Sequence, residues 1–152
     1  MRVEKPSLAQ HLNDPKLQGY ARLQKLFFAP TASSQEAGEA FIGRLAQRKE
    51  DREPASGPGV TEAQMAAFHD WEQFSGERFA YLKGIQQPTL IVNGIHDEMV
   101  SVSNSYRLSE NLPNAVLLTY PDAGHGSLFQ FYESFTRQAL AFLASDSQFA
   151  PY

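Results

Sequence analysis

Two residues of the chain have the types and surroundings needed for acid–base chemistry, Asp97 and His125. Asp97 follows a predicted strand that ends at Gly94, and His125 follows a second predicted strand that ends at Tyr120. Open α/β sheets place their active sites in the loops beyond the carboxyl ends of their strands. In neighbouring loops, a carboxylate can accept the Nδ1 proton of a histidine and leave Nε2 free to act as a base. We therefore predict that Asp97 and His125 form an acid–histidine pair.

Glycines flank the histidine on both sides, at Gly124 and Gly126. Glycine permits backbone dihedral angles that other residues avoid. We therefore expect a tight loop with unusual dihedral angles that projects the imidazole over the sheet edge. The alternative interpretations are an exposed or helix-capping carboxylate for Asp97 and a surface-loop histidine for His125.

The elements that must position these residues lie between residues 88 and 143. Two short apolar runs, Thr89–Gly94 and Ala115–Tyr120, are typical of strands buried on both faces. Residues 103–112 between them predict a helix, with Ser101 or Ser103 as its cap. Strand, helix and strand together predict a right-handed parallel crossover. Beyond Gly126, apolar residues on one face predict a final helix that covers the sheet.

The chain before residue 85 is predicted to be helical. Apolar residues recur at intervals of three and four, and capping-box pairs occur at Ser33–Glu36 and Thr61–Gln64. The predicted helices span residues 8–28 with breaks at Pro15 and Gly19, residue 33 to about Arg48, and residue 61 to Phe74, followed by a short turn of helix to Gly84. A loop rich in proline, glycine and charge separates the last two long helices at residues 51–59.

Composition excludes several classes of function. Thirteen basic and seventeen acidic residues give a net charge of −4 and are interleaved along the 152 residues, so we expect neither nucleic acid nor an anionic membrane as a partner. The chain has no cysteine, which excludes disulfides and thiolate chemistry. No apolar run approaches the roughly 18 residues of a membrane span. A soluble, cytoplasmic protein is the expectation.

The two candidate loops resemble those of a known family. Residues 93–100, Asn-Gly-Ile-His-Asp-Glu-Met-Val, resemble the acid loop of the α/β-hydrolase fold, and residues 122–126, Asp-Ala-Gly-His-Gly, resemble its histidine loop. Similarity continues through segments near residues 104–106, 112–115 and 128–130. The resemblance implies an α/β fold: a helical lid-like region at residues 1–84, then a C-terminal core portion at residues 85–152 with two parallel strands, a crossover and C-terminal helices. It also implies catalytic roles for Asp97 and His125.

The nucleophile of that family has no counterpart in these residues. Members carry a Gly-x-Ser-x-Gly elbow that exposes the serine and helps to form the oxyanion hole, and it precedes the acid in chain order. No such elbow occurs here. The resemblance therefore covers only the C-terminal half of the family fold, and we expect this chain alone to be inactive. The edge of the strand at residues 89–94 should lack a neighbour, so we expect a separate N-terminal half or self-association through that edge.

Other candidate residues are weaker. Ser127 lies two residues after the histidine but has no elbow, His96 is interpreted as a loop residue, and His11 and His69 lack the companions that a metal site needs. We expect no metal and no cofactor. Several aromatic residues of the helical region could line an apolar substrate pocket or simply pack in the core: Phe27, Phe28, Phe41, Trp71 and Phe74.

Two functions are consistent with these observations. The first is a truncated or split serine hydrolase in which a serine from elsewhere attacks an ester- or amide-type carbonyl of an apolar substrate, with His125 and Asp97 as base and acid. The alternative is a non-catalytic module, derived from that fold, for dimerisation or for binding a partner or ligand. A remnant with no selected function is a third, weaker hypothesis.

Overall fold

The computed structural model describes residues 14, 17–54, 57, 59–73 and 75–145. Its helical region begins with α1 at Gly19–Phe27, followed by α2 at Ala32–Gln47 and α3 at Gly59–Glu72. A 3₁₀ turn at Ala80–Gly84 then leads into the sheet. The predicted division of the first segment at Gly19 is confirmed, since Gly19 has a φ of +53° and α1 begins there. The residues before 14, including His11, lie outside the described part.

Two strands form the sheet, and both have the predicted bounds. β1 at Thr89–Gly94 pairs in parallel with β2 at Ala115–Tyr120, in a register that sets Gly94 opposite Tyr120. Helix α4 at Val102–Asn111 connects them. Because the strands are parallel and in register, the loops after Gly94 and after Tyr120 leave the sheet at the same end. The α/β architecture expected from the sequence is therefore present.

Helix boundaries differ from the predicted ones at three places. Thr31, not Ser33, caps α2, because its hydroxyl accepts from the Ser34 N–H at 3.3 Å while the Ser33 hydroxyl is hydrogen-bonded to Asp122. Helix α3 begins at Gly59, two residues before the predicted cap. The predicted final helix is broken into α5 at Ser127–Gln130 and α6 at Tyr132–Ala144. The break is at Phe131, whose ring stacks on Tyr120 at 4.7 Å.

Helices α4 and α5 pack against the strands, and α2 packs on α1 and α5. Leu82, Ile91 and Leu112 form the buried apolar core beside the two strands. The prediction that both strands are buried on two faces is wrong: in β2 only Tyr120 is fully buried, and in β1 Leu90 and Val92 are half-buried. In the described residues the sheet has two strands, so no third strand shields the outer side of either one.

Helix α3 contrasts with the core because it has no buried residue. Met65, Phe68 and Trp71 expose 60%, 59% and 53% of their surfaces. The predicted aromatic face therefore exists but is not packed against the described part of the chain. Within that same part, no helix is long and apolar enough to cross a membrane.

The small core predicts a large penalty for a single deletion. Leu82→Ala should lower the free energy of unfolding by roughly 2–5 kcal/mol, because Leu82 is 3% exposed and packs on Ile91 and Leu112. Leu143→Ala is the matched control: Leu143 is 76% exposed, so its loss should change stability by about 0.5 kcal/mol at most. Urea denaturation followed by circular dichroism measures both, and equal effects would contradict this location of the core.

Candidate active site

The carboxylate of Asp97 is fixed by the loop that follows β1. Asp97 is 4% exposed, and its Oδ1 accepts hydrogen bonds from the backbone N–H groups of Met99 and Val100, both at 2.8 Å. These bonds use one oxygen completely and hold the carboxylate plane in place. They leave Oδ2 free to face the histidine loop, so the acid is oriented by its own loop before any partner is considered.

His125 meets that second oxygen. Its Nδ1 lies 2.9 Å from Asp97 Oδ2, which is hydrogen-bond distance across 28 residues of sequence. A carboxylate acceptor requires Nδ1 to carry the proton, so Nε2 has its lone pair available. The side chain of His125 remains 32% exposed, and no described residue hydrogen-bonds to Nε2. The structure thus brings together the two residues that the sequence singled out, with one ring nitrogen left open.

The two loops meet backbone to backbone at Gly94. A Cβ on Gly94 would lie 2.2 Å from the carbonyl oxygen of Gly124 and 2.3 Å from that of Ala123, closer than any side chain permits. The Ile95 N–H donates to Tyr120 O at 3.0 Å and the His96 N–H to Ala123 O at 2.9 Å, so strand-like bonding continues beyond β1. Only glycine allows this approach, which sets the separation of Asp97 and His125.

The glycines beside His125 serve a different purpose from the one expected. Neither Gly124 nor Gly126 has a positive φ, so the prediction of unusual dihedral angles is wrong. Close packing explains them instead. A Cβ on Gly124 would lie 2.8 Å from Phe27 O, and one on Gly126 would lie 2.9 Å from the Phe27 Cβ. The end of helix α1 therefore packs directly on the histidine loop.

An aromatic cluster from the helical region and α5 reaches the imidazole through Phe27. The ring of Phe27 meets His125 edge-on at 5.3 Å and stacks with Phe129 at 6.1 Å. Phe41 stacks with Phe129 at 4.7 Å and contacts Phe28 at 5.8 Å. Three of the predicted aromatic residues therefore pack in one cluster beside the candidate site. Trp71 is exposed on α3, and Phe74 lies outside the described residues.

The start of α2 binds the histidine loop through the side chain of Asp122. The hydroxyls of Thr31 and Ser33 donate to its Oδ1 and Oδ2 at 2.8 and 2.6 Å. The bond from Ser33, followed by the bond from Thr31, lowers the pKa of the Asp122 carboxyl, and a smaller contribution in the same direction comes from His96. Asp122 is therefore ionised at neutral pH and attracts the start of the helix.

The remaining candidates make no side-chain hydrogen bond to Asp97 or His125 in the described residues. Ser127 is buried at the start of the short helix α5, and His96 is exposed. His69 lies on the exposed helix α3. Among the described residues, no cluster of three or more His, Asp and Glu side chains could hold a metal ion. No serine in this part of the chain hydrogen-bonds to His125.

Several residues that shape the site were not singled out from the sequence. The sequence pattern marks Gly94 only as the end of a strand. It indicates no separate role for Gln130, Ser34 or Asp122. A glycine at the end of a buried strand, followed in the next loop by Gly-His-Gly, is the sequence feature that indicates the close approach of the two backbones at Gly94. The hydrogen bonds of Gln130 and Ser34 join parts of the chain 96 residues apart, so local patterns could not reveal them.

Comparison with known proteins places this geometry in a family. The family model described as the alpha/beta hydrolase fold matches residues 12–132. RutD of Caulobacter sp. (strain K31), which is named a carbamate hydrolase, is 29% identical over 136 residues, covering 90% of this chain and 48% of that protein. A hydrolase of Pseudomonas putida named for 2-hydroxy-6-oxononadienedioate and 2-hydroxy-6-oxononatrienedioate is 39% identical over 62 residues, which are 41% of this chain and 22% of that protein.

Solved structures agree with the sequence relatives. An alpha/beta hydrolase fold protein from Chitinophaga pinensis superposes with a TM-score of 0.80 at 35% identity, covering 92% of this chain and 50% of that one. The chain spans about half the length of this structure and of RutD. A 2-hydroxy-6-oxo-6-phenylhexa-2,4-dienoate hydrolase from Rhodococcus sp. strain RHA1 superposes with a TM-score of 0.60, covering 95% of this chain and 51% of that one. Its sequence is only 17% identical, so the likeness is one of fold alone. With two parallel strands whose ends meet at Gly94 and a family model matched over most of its length, this chain belongs to the alpha/beta hydrolase fold family.

Proposed function

We propose that this chain supplies the acid and the histidine of a serine-hydrolase active site, and that the nucleophilic serine comes from polypeptide outside these 152 residues. The observation that carries the proposal is the 2.9 Å contact between Asp97 Oδ2 and His125 Nδ1, with Oδ1 already bound by two backbone N–H groups. Membership of the alpha/beta hydrolase fold family supports it, as does the match to about half the length of RutD and of the Chitinophaga pinensis protein.

The chemistry follows from the open ring nitrogen. Nε2 of His125 would take the proton of a serine hydroxyl while the serine oxygen attacks a substrate carbonyl. The imidazolium formed in that step would be stabilised by Asp97, whose buried carboxylate faces Nδ1. The proton would then pass from Nε2 to the leaving group, and water would release the acyl group by the same route. Each step uses the pair as base and then as acid.

Esters, amides and related carbonyl compounds of apolar character are the proposed substrates. Phe27, which meets the His125 ring edge-on, and the Phe129 and Phe41 rings that stack in series beyond it provide an apolar cluster on one side of the imidazole. Relatives named for carbamates and for hydroxy-oxo-dienedioates also act on carbonyl compounds. Aromatic surface favours an apolar acyl or alkyl group over a charged one.

The second candidate function is association without catalysis. The bonds from Thr89 N to Asn114 O and from Ile95 N to Tyr120 O direct odd-numbered N–H groups of β1 towards β2, so those of Leu90 and Val92 face the outer edge. This edge has no partner strand in the described residues. A second copy of the chain, or the missing half of the fold, could pair there.

Asp97→Asn tests the role of the acid directly. The asparagine carbonyl can still accept from Met99 and Val100, which turns its NH₂ group towards His125 Nδ1 and requires Nδ1 to become an acceptor. We expect the histidine to move its proton to Nε2, measured by ¹⁵N chemical shifts of the imidazole. Asp70→Asn, on the exposed helix α3, should leave the tautomer unchanged. An unchanged tautomer in Asp97→Asn would contradict the proposed orientation.

Labelling with a fluorophosphonate, followed by intact mass, tests the missing nucleophile. The chain alone should form no adduct, because no described serine is activated by His125. A fusion to the part of the Chitinophaga pinensis protein that this chain does not match should be labelled, and His125→Ala in the fusion should slow labelling by roughly 10³-fold. An adduct on the chain alone that is lost in His125→Ala would mean that one of its own serines is the nucleophile. A folded but unlabelled fusion would contradict the proposal.

Amide hydrogen exchange distinguishes the association function. If β1 pairs with a second copy, exchange of the Leu90 and Val92 amides should slow as protein concentration rises, while that of Ile91, which faces β2, should stay constant. Analytical ultracentrifugation on the same samples gives the oligomeric state. Rapid exchange of the outer amides at all concentrations would rule out pairing through this edge.

A further inference from the structure

A chain of hydrogen bonds connects the helical region to the loop that carries His125. The Ala29 N–H donates to Ser34 Oγ at 2.8 Å, and the Ser34 hydroxyl donates to Gln130 Oε1 at 2.7 Å. The amide Nε2 of Gln130 then donates to the backbone carbonyl of Asp122. Every donor in this series has one acceptor, so the series runs in a single direction from α1 to the histidine loop.

Burial makes the middle of this series costly to break. Ser34 is completely buried, at 0% exposed, and a buried hydroxyl without a partner is unfavourable. The Ala29 N–H is a donor and cannot accept the hydroxyl proton of Ser34. That proton is therefore donated to Gln130 Oε1. The Gln130 side chain is therefore fixed with its oxygen towards Ser34 and its nitrogen towards Asp122. The orientation of this amide follows from the network rather than from free rotation.

Gln130 closes the histidine loop from within. Its backbone N–H donates to Gly126 O at 3.0 Å while its side chain holds Asp122 O. Both ends of residues 122–126, the segment that contains His125, are thus held by one residue. No other described residue is hydrogen-bonded to both ends of this segment, although the Phe129 N–H also donates to Gly126 O. The position of the imidazole ring relative to Asp97 depends on the shape of this segment. The segment is also held by backbone contacts at Gly94 and Phe27 and by the bonds from Thr31 and Ser33 to the Asp122 carboxylate.

We propose that Gln130 is a positioning residue for His125, and that through Ser34 it couples the placement of helix α2 to the hydrogen bond between His125 and Asp97. Asp122 adds a second link, since its carboxylate binds Thr31 and Ser33 at the start of the same helix. A displacement of α2 therefore pulls on both the backbone carbonyl and the side chain of Asp122. The inference rests on the proposed role of the acid–histidine pair and adds to it a route by which the helical region controls that pair.

The expected consequence is specific to the imidazole. When the Nδ1 proton is shared with a carboxylate it resonates far downfield and exchanges slowly with water, because the hydrogen bond is charge-assisted. Loosening residues 122–126 should lengthen the contact with Asp97 and expose this proton to exchange. A purely structural role for Gln130 would lower stability but leave the resonance in the remaining folded molecules unchanged.

Gln130→Met is the test variant, because methionine has a similar length and volume but neither donates nor accepts strongly. Gln138→Met is the matched control: Gln138 is exposed on α6, and its side chain donates to the Ser134 hydroxyl of the same helix. Proton NMR of the folded chain should show the downfield Nδ1 resonance in the wild type and in Gln138→Met, and its loss or at least about tenfold faster exchange in Gln130→Met. An unchanged resonance in folded Gln130→Met would overturn the proposal.

Gln130→Glu keeps the test decisive if the methionine variant fails to fold. Glutamate fills the same space and can still accept from Ser34, but its ionised carboxylate cannot donate to the Asp122 carbonyl. Faster exchange of the Nδ1 proton in this variant supports the proposal, and wild-type exchange overturns it. Exchange of the Nδ1 proton can be measured without a nucleophile. Failure of the proposal for Gln130 is therefore distinguishable from failure of the proposed hydrolase function, which fluorophosphonate labelling of the fusion tests.

Discussion

The contact between two backbones at Gly94 is the constraint on which the rest of the site depends. With any side chain at this position, the Ala123 and Gly124 carbonyls would have to move by an ångström or more. The acid loop and the histidine loop would then separate, and the 2.9 Å contact between Asp97 and His125 could not form. The parallel register of β1 and β2 brings the loops to one end of the sheet, and the absence of a single Cβ sets their distance.

The positions of the strands and of the acid–histidine pair could be predicted because their signals are local. Each strand is a short β-rich run, and Asp97 and His125 lie in the loops that follow these runs. The capping-box spacing predicts Ser33 as the cap of α2, but Ser33 lies in the first turn and its hydroxyl binds Asp122, which is 89 residues away. Likewise, the glycines around His125 looked like dihedral requirements, whereas Phe27 from a distant helix requires them to be small. Contacts between remote segments leave no periodic pattern in the sequence.

Both polar and apolar contacts join the helical region to α5 and the histidine loop. Apolar packing comes from Phe27, Phe41 and Phe129, and directional bonds come from Ser34, Gln130 and Asp122. Packing alone would allow the aromatic rings to slide over one another at small cost, because dispersion forces have little directionality. The hydrogen bonds remove that freedom. This division gives the fully buried Ser34 a role in fixing the position of α2 that the aromatic rings do not supply.

Helix α3 differs from the site because tertiary packing buries none of its side chains in the described residues. A helix of 14 residues with no buried side chain has little besides its own backbone bonds to oppose conformational entropy, and isolated helices of this length are marginal in water. The helical fraction of α3 therefore depends on whether the exposed side chains of Met65, Phe68 and Trp71 bury against another apolar surface. In thermodynamic terms, a small change of free energy can shift the helical fraction of α3, while the acid and histidine loops are fixed by the close backbone contact at Gly94.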